Sequence, residues 1–117
     1  MRTTDLFNFW MKNLTDRKAK ARILARIHRI QVTSTITGDV KSVGGGVSEM
    51  RFHFGPGYRV YFTKQGQKLV VLLIGGDKST QKDDIAKAKK LKESLWSRQK
   101  NSLLRITWIV KKTSSNF

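Results

Sequence analysis

Val47-Ser48-Glu49-Met50-Arg51-Phe52-His53-Phe54-Gly55-Pro56-Gly57-Tyr58-Arg59-Val60-Tyr61-Phe62-Thr63-Lys64 decides the fold. Two runs rich in aromatic and β-branched residues flank a Gly-Pro-Gly break, the pattern of a β-hairpin. Strands Val47–Phe54 and Tyr58–Lys64, joined by the three-residue loop Gly55-Pro56-Gly57, pair Phe54 with Tyr58, Phe52 with Val60 and Met50 with Phe62. These side chains are all apolar or aromatic, so their face is expected to pack on helices. The other face pairs His53 with Arg59, Arg51 with Tyr61 and Glu49 with Thr63. A slip by one residue mixes the two sets, which argues against it.

Helices are predicted on both sides of this hairpin. Thr4 caps a helix over Asp5–Leu14, with Phe7, Trp10, Met11 and Leu14 at helical spacing. Asp16 starts a second helix that runs to about Ile30, with Ile23, Ile27 and Ile30 as its apolar stripe. A short strand at Asp39–Val43, ended by Gly44-Gly45-Gly46, precedes the hairpin. Lys68–Ile74, apolar on both faces, is expected to lie centrally in the sheet. Residues 75–81 form a loop, and Thr80 with Asp83 resembles a capping box. The last helix spans about Lys82–Trp96 and buries Ile85, Ala88, Leu91 and Leu95. The fold class is therefore α+β: two N-terminal helices on a mostly antiparallel sheet of about four strands, a C-terminal helix and an extra segment. One domain is assigned to residues 1–96 and a basic extension to residues 97–117. Within the extension, Leu103–Val110 has strand composition. It is expected either to pair with an open sheet edge or to continue the helix into a basic tail.

Charge sets the class of partner. The 117 residues carry 24 Lys and Arg against 8 Asp and Glu, a net +16. So large an imbalance in a small domain fits a polyanion, with nucleic acid ahead of an anionic membrane surface or an acidic protein. No run approaches the roughly 18 apolar residues of a membrane span. The N-terminus lacks the apolar stretch of a signal peptide, and there is no cysteine, so a cytoplasmic protein without disulfides is expected. No metal site and no cofactor are expected, since His28 and His53 are remote in sequence and thiolates are absent. Gly75-Gly76-Asp77-Lys78-Ser79-Thr80 lacks the spacing of a phosphate-binding Walker loop.

The polar hairpin face suits RNA. Arg51 and Arg59 can hold phosphates, Tyr61 can stack on an unpaired base, and histidine is the residue type that moves protons near neutrality, which singles out His53. Cleavage of RNA without a metal needs a base for the 2′-hydroxyl, cations for the phosphorane and an acid for the leaving 5′-oxygen. A solvated face with cross-strand ion pairs gives the same residue pattern. Along the second helix, Arg22, Arg26 and Arg29 extend the basic surface, with no acid between Arg17 and Gly38.

Three stretches carry a resemblance: Gly38-Asp39-Val40-Lys41-Ser42-Val43-Gly44, Gly55-Pro56-Gly57-Tyr58-Arg59-Val60-Tyr61 and Gly75-Gly76-Asp77-Lys78-Ser79-Thr80-Gln81. Together with Phe7, Trp10 and the break at Leu14-Thr15-Asp16, they resemble the HigB-like addiction-module killer proteins of the RelE/ParE superfamily over about residues 3–95. The resemblance implies a compact toxin, the killer half of a type II toxin-antitoxin system, with a cognate antitoxin, often a helix-turn-helix repressor. It also implies the ribosome and mRNA as targets, with a DNA gyrase inhibitor as the alternative branch. By position it points to Arg59 as phosphate clamp, Lys78 as charge stabiliser and His53 as acid or base. Arg51 joins them on the strand before, and Gln81 lies in the loop that closes the site. Two features depart from the pattern. Met1-Arg2-Thr3 keeps only the end of the usual first strand, and the chain continues past the last helix through residues 97–117. A non-toxic RNA- or antitoxin-binding remnant is therefore a third reading.

Overall fold

The chain enters the fold through Thr4. Its Oγ1 accepts from Phe7 N at 3.0 Å and donates to Leu73 O at 2.5 Å, so one hydroxyl caps the first helix and fastens it to the sheet. The computed structural model describes residues 1–103. The elements are β1 (Arg2–Thr3), α1 (Asp5–Asn13), α2 (Arg17–Thr33), β2 (Val40–Gly44), β3 (Val47–Arg51), β4 (Tyr58–Gln65), β5 (Lys68–Asp77), a 3-10 turn (Lys78–Thr80) and α3 (Gln81–Leu103). The α+β architecture is as expected, with one more strand. The sheet order is β1-β5-β4-β3-β2, antiparallel except for the parallel pair β1–β5.

Asp16 caps α2 by accepting from Ala19 N at 3.0 Å. Phe7 and Met11 of α1, with Ala19, Ile23, Ile27 and Ile30 of α2, bury Met50, Phe52, Val60, Phe62, Leu69 and Leu72 on one face of the sheet. The expected division of the hairpin into two faces therefore holds. The pairing does not. Met50 faces Val60 and Arg51 faces Arg59, a shift of two residues from the predicted register. Phe52 N donates to Tyr58 O at 3.0 Å, so the loop spans residues 53–57 rather than 55–57. Within it Gly57 N donates to Phe54 O at 3.1 Å, and Gly55 and Gly57 both have positive φ, +55° and +77°. A shift of two preserves side-chain parity, so the apolar pattern is blind to it and the turn decides.

The second face is not open, as its basic residues had suggested. Helix α3 lies on it, and Ile85, Ala88, Leu91 and Leu95 pack with Val47, Tyr61, Leu73 and Ile74. The start of α3 differs too. Asp77 caps the 3-10 turn by accepting from Ser79 N at 2.8 Å, and the capping box joins Asp77 to Thr80. Thr80 Oγ1 donates to Asp84 Oδ2 at 2.6 Å, so Asp83 has no part in the cap. Residues 75–77, expected as loop, extend β5. Residues 97–103 continue α3, so no turn follows Trp96. Beyond Leu103 the strand expected at Leu103–Val110 lies outside the described residues.

Candidate functional site

One row of residues crosses the sheet at the end nearest the 53–57 loop. Arg51 N donates to Asp39 O at 2.9 Å, Arg51 faces Arg59, and Arg59 faces Gly76. Two residues along, the next row on the same face is Lys41, Glu49, Tyr61 and Ile74. Two cations thus stand side by side, each with its own carboxylate.

Asp39 serves the outer pair. Its Oδ1 accepts from Arg51 Nη2 at 2.8 Å, and its Oδ2 contacts His53 Nε2. The Arg51 hydrogen bond, then that of His53, hold the Asp39 carboxyl down at about 2. The same hydrogen bond raises the Arg51 guanidinium. His53 keeps a largely solvent-facing ring, 68% exposed. Arg26 reaches up from α2 to fix the backbone beneath this group. Its Nη1 donates to Arg51 O at 2.6 Å, and its Nη2 donates to Thr37 O and Asp39 O, each at 3.1 Å. It also lies over the Phe52 ring at 4.9 Å. Gly38, at φ +89°, passes so close that a Cβ there would overlap the Arg26 guanidinium.

Glu49 serves the inner pair. It is fully buried, and its Oε1 lies 3.7 Å from Arg59 Nε. Its Oε2 accepts from Tyr61 Oη at 3.1 Å and from Gln81 Nε2 at 2.8 Å. Burial, reinforced by Glu49, pushes the Tyr61 phenol far above its ordinary value. Arg59 is only 7% exposed and donates from Nη1 to Gly57 O at 2.9 Å. Lys78 approaches the same spot from the other side. A Cβ on Gly57 would lie 3.3 Å from Arg59 Nη1 and 3.4 Å from Lys78 Cβ. Lys78 itself is exposed, and its N–H donates to Pro56 O at 3.4 Å.

The structure places Arg51, His53, Arg59, Lys78 and Gln81 at one end of the sheet. It corrects the exposure of several. Tyr61 offers no stacking surface, because α3 covers it and its hydroxyl is engaged. Arg59 is mostly covered rather than solvent-facing. Gln81 turns inward to Glu49. Arg26 is not a free cation but a brace for backbone carbonyls, whereas Arg22 is exposed and lies 4.9 Å from the Phe54 ring, beside the loop. Arg29 and His28 are exposed further along α2. Sequence reasoning missed Asp39 as an organiser of the cations, and it offered Glu49 as the partner of a nearby arginine only on a solvated face, whereas Glu49 is buried. Glu49 had a signal, since it lies two residues from Arg51 on the same strand face. Among the described residues, no group of three or more His, Cys, Asp or Glu is placed to hold a metal. No helix among them is long and apolar enough to cross a membrane.

The model of the phage-derived Gp49-like proteins (DUF891) matches residues 10–93. A protein of Haemophilus influenzae, described as uncharacterized, is 48% identical over 95 residues, covering 81% of this chain and 94% of its own. No solved structure matches. With β2 to β5, all of α2, most of α3 and the Arg51–Arg59 row inside the matched span, the chain belongs to the phage Gp49-like family, within the RelE/ParE-like toxin group.

Proposed function

We propose that the chain is a HigB-like toxin of a type II toxin-antitoxin system and cleaves mRNA on the ribosome without a metal. The observation that carries this reading is the convergence of Arg51, His53, Arg59 and Lys78 on one end of the sheet, with Asp39 bound to His53 and Arg51 together. Lys78 and the outer edge of the arginine pair supply positive charge where a phosphorane develops, and such charge stabilisation usually dominates the lowering of the barrier. His53, oriented by Asp39, takes the 2′-hydroxyl proton or gives one to the 5′-oxygen. Arg22, beside the loop, extends the phosphate track. The partners in this reading are the ribosome with its mRNA and a cognate antitoxin of helix-turn-helix type, in the cytoplasm.

Burial of Tyr61 and Arg59 favours a second reading, a gyrase-binding inhibitor with no chemistry of its own, because it removes the stacking platform and most of one clamp. Inducible expression in bacteria separates the two. Early mRNA cleavage and arrest of translation support the nuclease, and an early supercoiling defect with intact mRNA supports the inhibitor. For the nuclease, His53→Ala lowers the cleavage rate and flattens its pH dependence near neutrality; an unchanged profile shows that His53 moves no proton.

A further inference from the structure

Helix α1 turns its buried residues, Phe7 and Met11, to the sheet. Its opposite side is apolar as well: Phe9 is 66% exposed and Leu6 46% exposed. Beside them opens a cavity of about 340 Å³, whose lining includes Leu6, Phe9, Trp10, Asn13 and Leu14. The charge of this helix also sets it apart. In a chain of net +16, α1 carries one acid, Asp5, and one cation, Lys12, both exposed. At 3.6 residues per turn, Asp5 and Lys12 lie within about 20° of each other on one flank of Phe9. Leu6 and Asn13 lie equally close together on the other flank, next to the cavity. Along the helix axis, Asp5 stands about 6 Å before Phe9 and Lys12 about 4.5 Å after it.

We infer that this outward face of α1 joins two copies of the chain as an antiparallel, twofold-symmetric pair centred on Phe9. A twofold axis beside Phe9 reverses the helix direction and brings like flanks together. Asp5 of each copy then meets the partner's Lys12, because their offsets from Phe9 are opposite in sign and nearly equal. A parallel pair would set like charges against each other at both positions, so charge selects the antiparallel one. On the other flank, each Phe9 ring leans over the partner's cavity. Other occupants match this face less well. RNA finds a single cation there, with a carboxylate beside it. An acidic protein finds Lys12 already balanced by Asp5. The chain's own residues 97–117 hold Arg98, Lys100, Arg105, Lys111 and Lys112 and no acid, so they oppose Lys12. A second copy brings a matching apolar and locally neutral surface, where two strongly basic chains meet with little repulsion. Helix α1 runs from Thr4, bonded to Leu72 and Leu73, towards Tyr58, which Trp10 contacts. An antiparallel pair therefore points the two sheet-end sites in opposite directions and leaves both open. The inference is independent of the nuclease reading, since it uses none of Arg51, His53, Arg59 or Lys78.

The contact is small, so association is expected in the micromolar range. The test is sedimentation equilibrium of the full chain at about 150 mM salt, where long-range repulsion is screened. The average mass should rise from one chain towards two between about 5 and about 500 μM. Phe9→Ser should weaken the dimer at least about 10-fold. The Phe9 side chain is exposed, so melting of the dilute protein should be unaltered. Asp5→Lys and Lys12→Asp should each weaken self-association, because each sets like charges together at both contacts. Mixed in equal amounts, these two variants should pair with each other, since both contacts then join a cation to a carboxylate. A native chain that stays monomeric at about 500 μM, undiminished dimerisation of Phe9→Ser, or no pairing in the mixture would overturn the inference. A mass that climbs beyond two chains would overturn it too, because a twofold contact closes at the dimer.

Discussion

Arg51 and Arg59 stand directly opposite each other on β3 and β4, two like charges at a cross-strand position. Such a pair is destabilising unless each charge is compensated. Here the compensation is divided: Asp39 takes Arg51 from outside the sheet, and Glu49 takes Arg59 from the next row. The two halves differ in burial. The side chains of Arg51 and Asp39 are each 31% exposed, while those of Arg59 and Glu49 are 9% and 1% exposed.

Glu49→Gln is accordingly expected to destabilise the fold by about 3 kcal/mol, because it strands a buried guanidinium. Adding Arg59→Met should cost less than the sum of the single changes, since the stranded charge is then gone. Urea unfolding of the two single variants and the double variant forms the cycle that measures this coupling. Strict additivity would mean that the Glu49–Arg59 contact, at 3.7 Å, contributes nothing to stability.

The same difference in burial separates catalysis from folding in the proposed nuclease. Lys78 is exposed, so Lys78→Ala should leave stability within about 0.5 kcal/mol and lower ribosome-dependent mRNA cleavage at least about 100-fold. Arg59→Ala should lower both cleavage and the melting temperature, because it leaves Glu49 buried without its cation. Primer-extension mapping of cleaved mRNA, beside thermal melts of each variant, checks the pair. Full cleavage by a folded Lys78→Ala chain would remove Lys78 from the site.

Much of this arrangement was legible in the sequence, and the illegible parts share a physical reason. Side-chain parity assigns Met50, Val60 and Phe62 to one face whether the loop has three residues or five, so the faces are readable and the register is not. Ile85, Ala88, Leu91 and Leu95 show that α3 packs on something. Their spacing carries no information about which face of the sheet receives them, and for that reason the covering of Tyr61 could not be foreseen. The cations are conspicuous in the sequence. Asp39, which organises two of them, reaches Arg51 only because β2 pairs with β3.

Gly75 sits under the Trp10 indole, and a Cβ there would overlap the ring. Trp10 in turn meets Phe7 at 6.1 Å and Tyr58 at 6.4 Å between ring centroids, so displacing it disturbs the contact of α1 with the sheet. Gly75→Ala should therefore cost about 1–3 kcal/mol by overpacking. Trp10→Leu in the Gly75→Ala background should recover part of that loss, as read by denaturant midpoints. Failure to recover would place the strain elsewhere in β5.

The Asp39 carboxyl gives a prediction with a definite sign. Its folded value, about 2, lies below the roughly 3.9 of an unfolded aspartate. A depressed folded value means that the unfolded chain takes up the proton first as pH falls. The stabilisation from Asp39 is thus fully present above about pH 4 and is lost as pH drops towards 2. Asp39→Asn removes the charge at every pH, so the stability gap between the native chain and this variant should close between about pH 4 and 2. The closing should follow the carboxyl 13C shift of Asp39, since the group that titrates is the one that Arg51 and His53 hold. Urea unfolding across this range measures the gap. A gap that opens rather than closes as pH falls would show that the Asp39–Arg51 pair does not stabilise the fold.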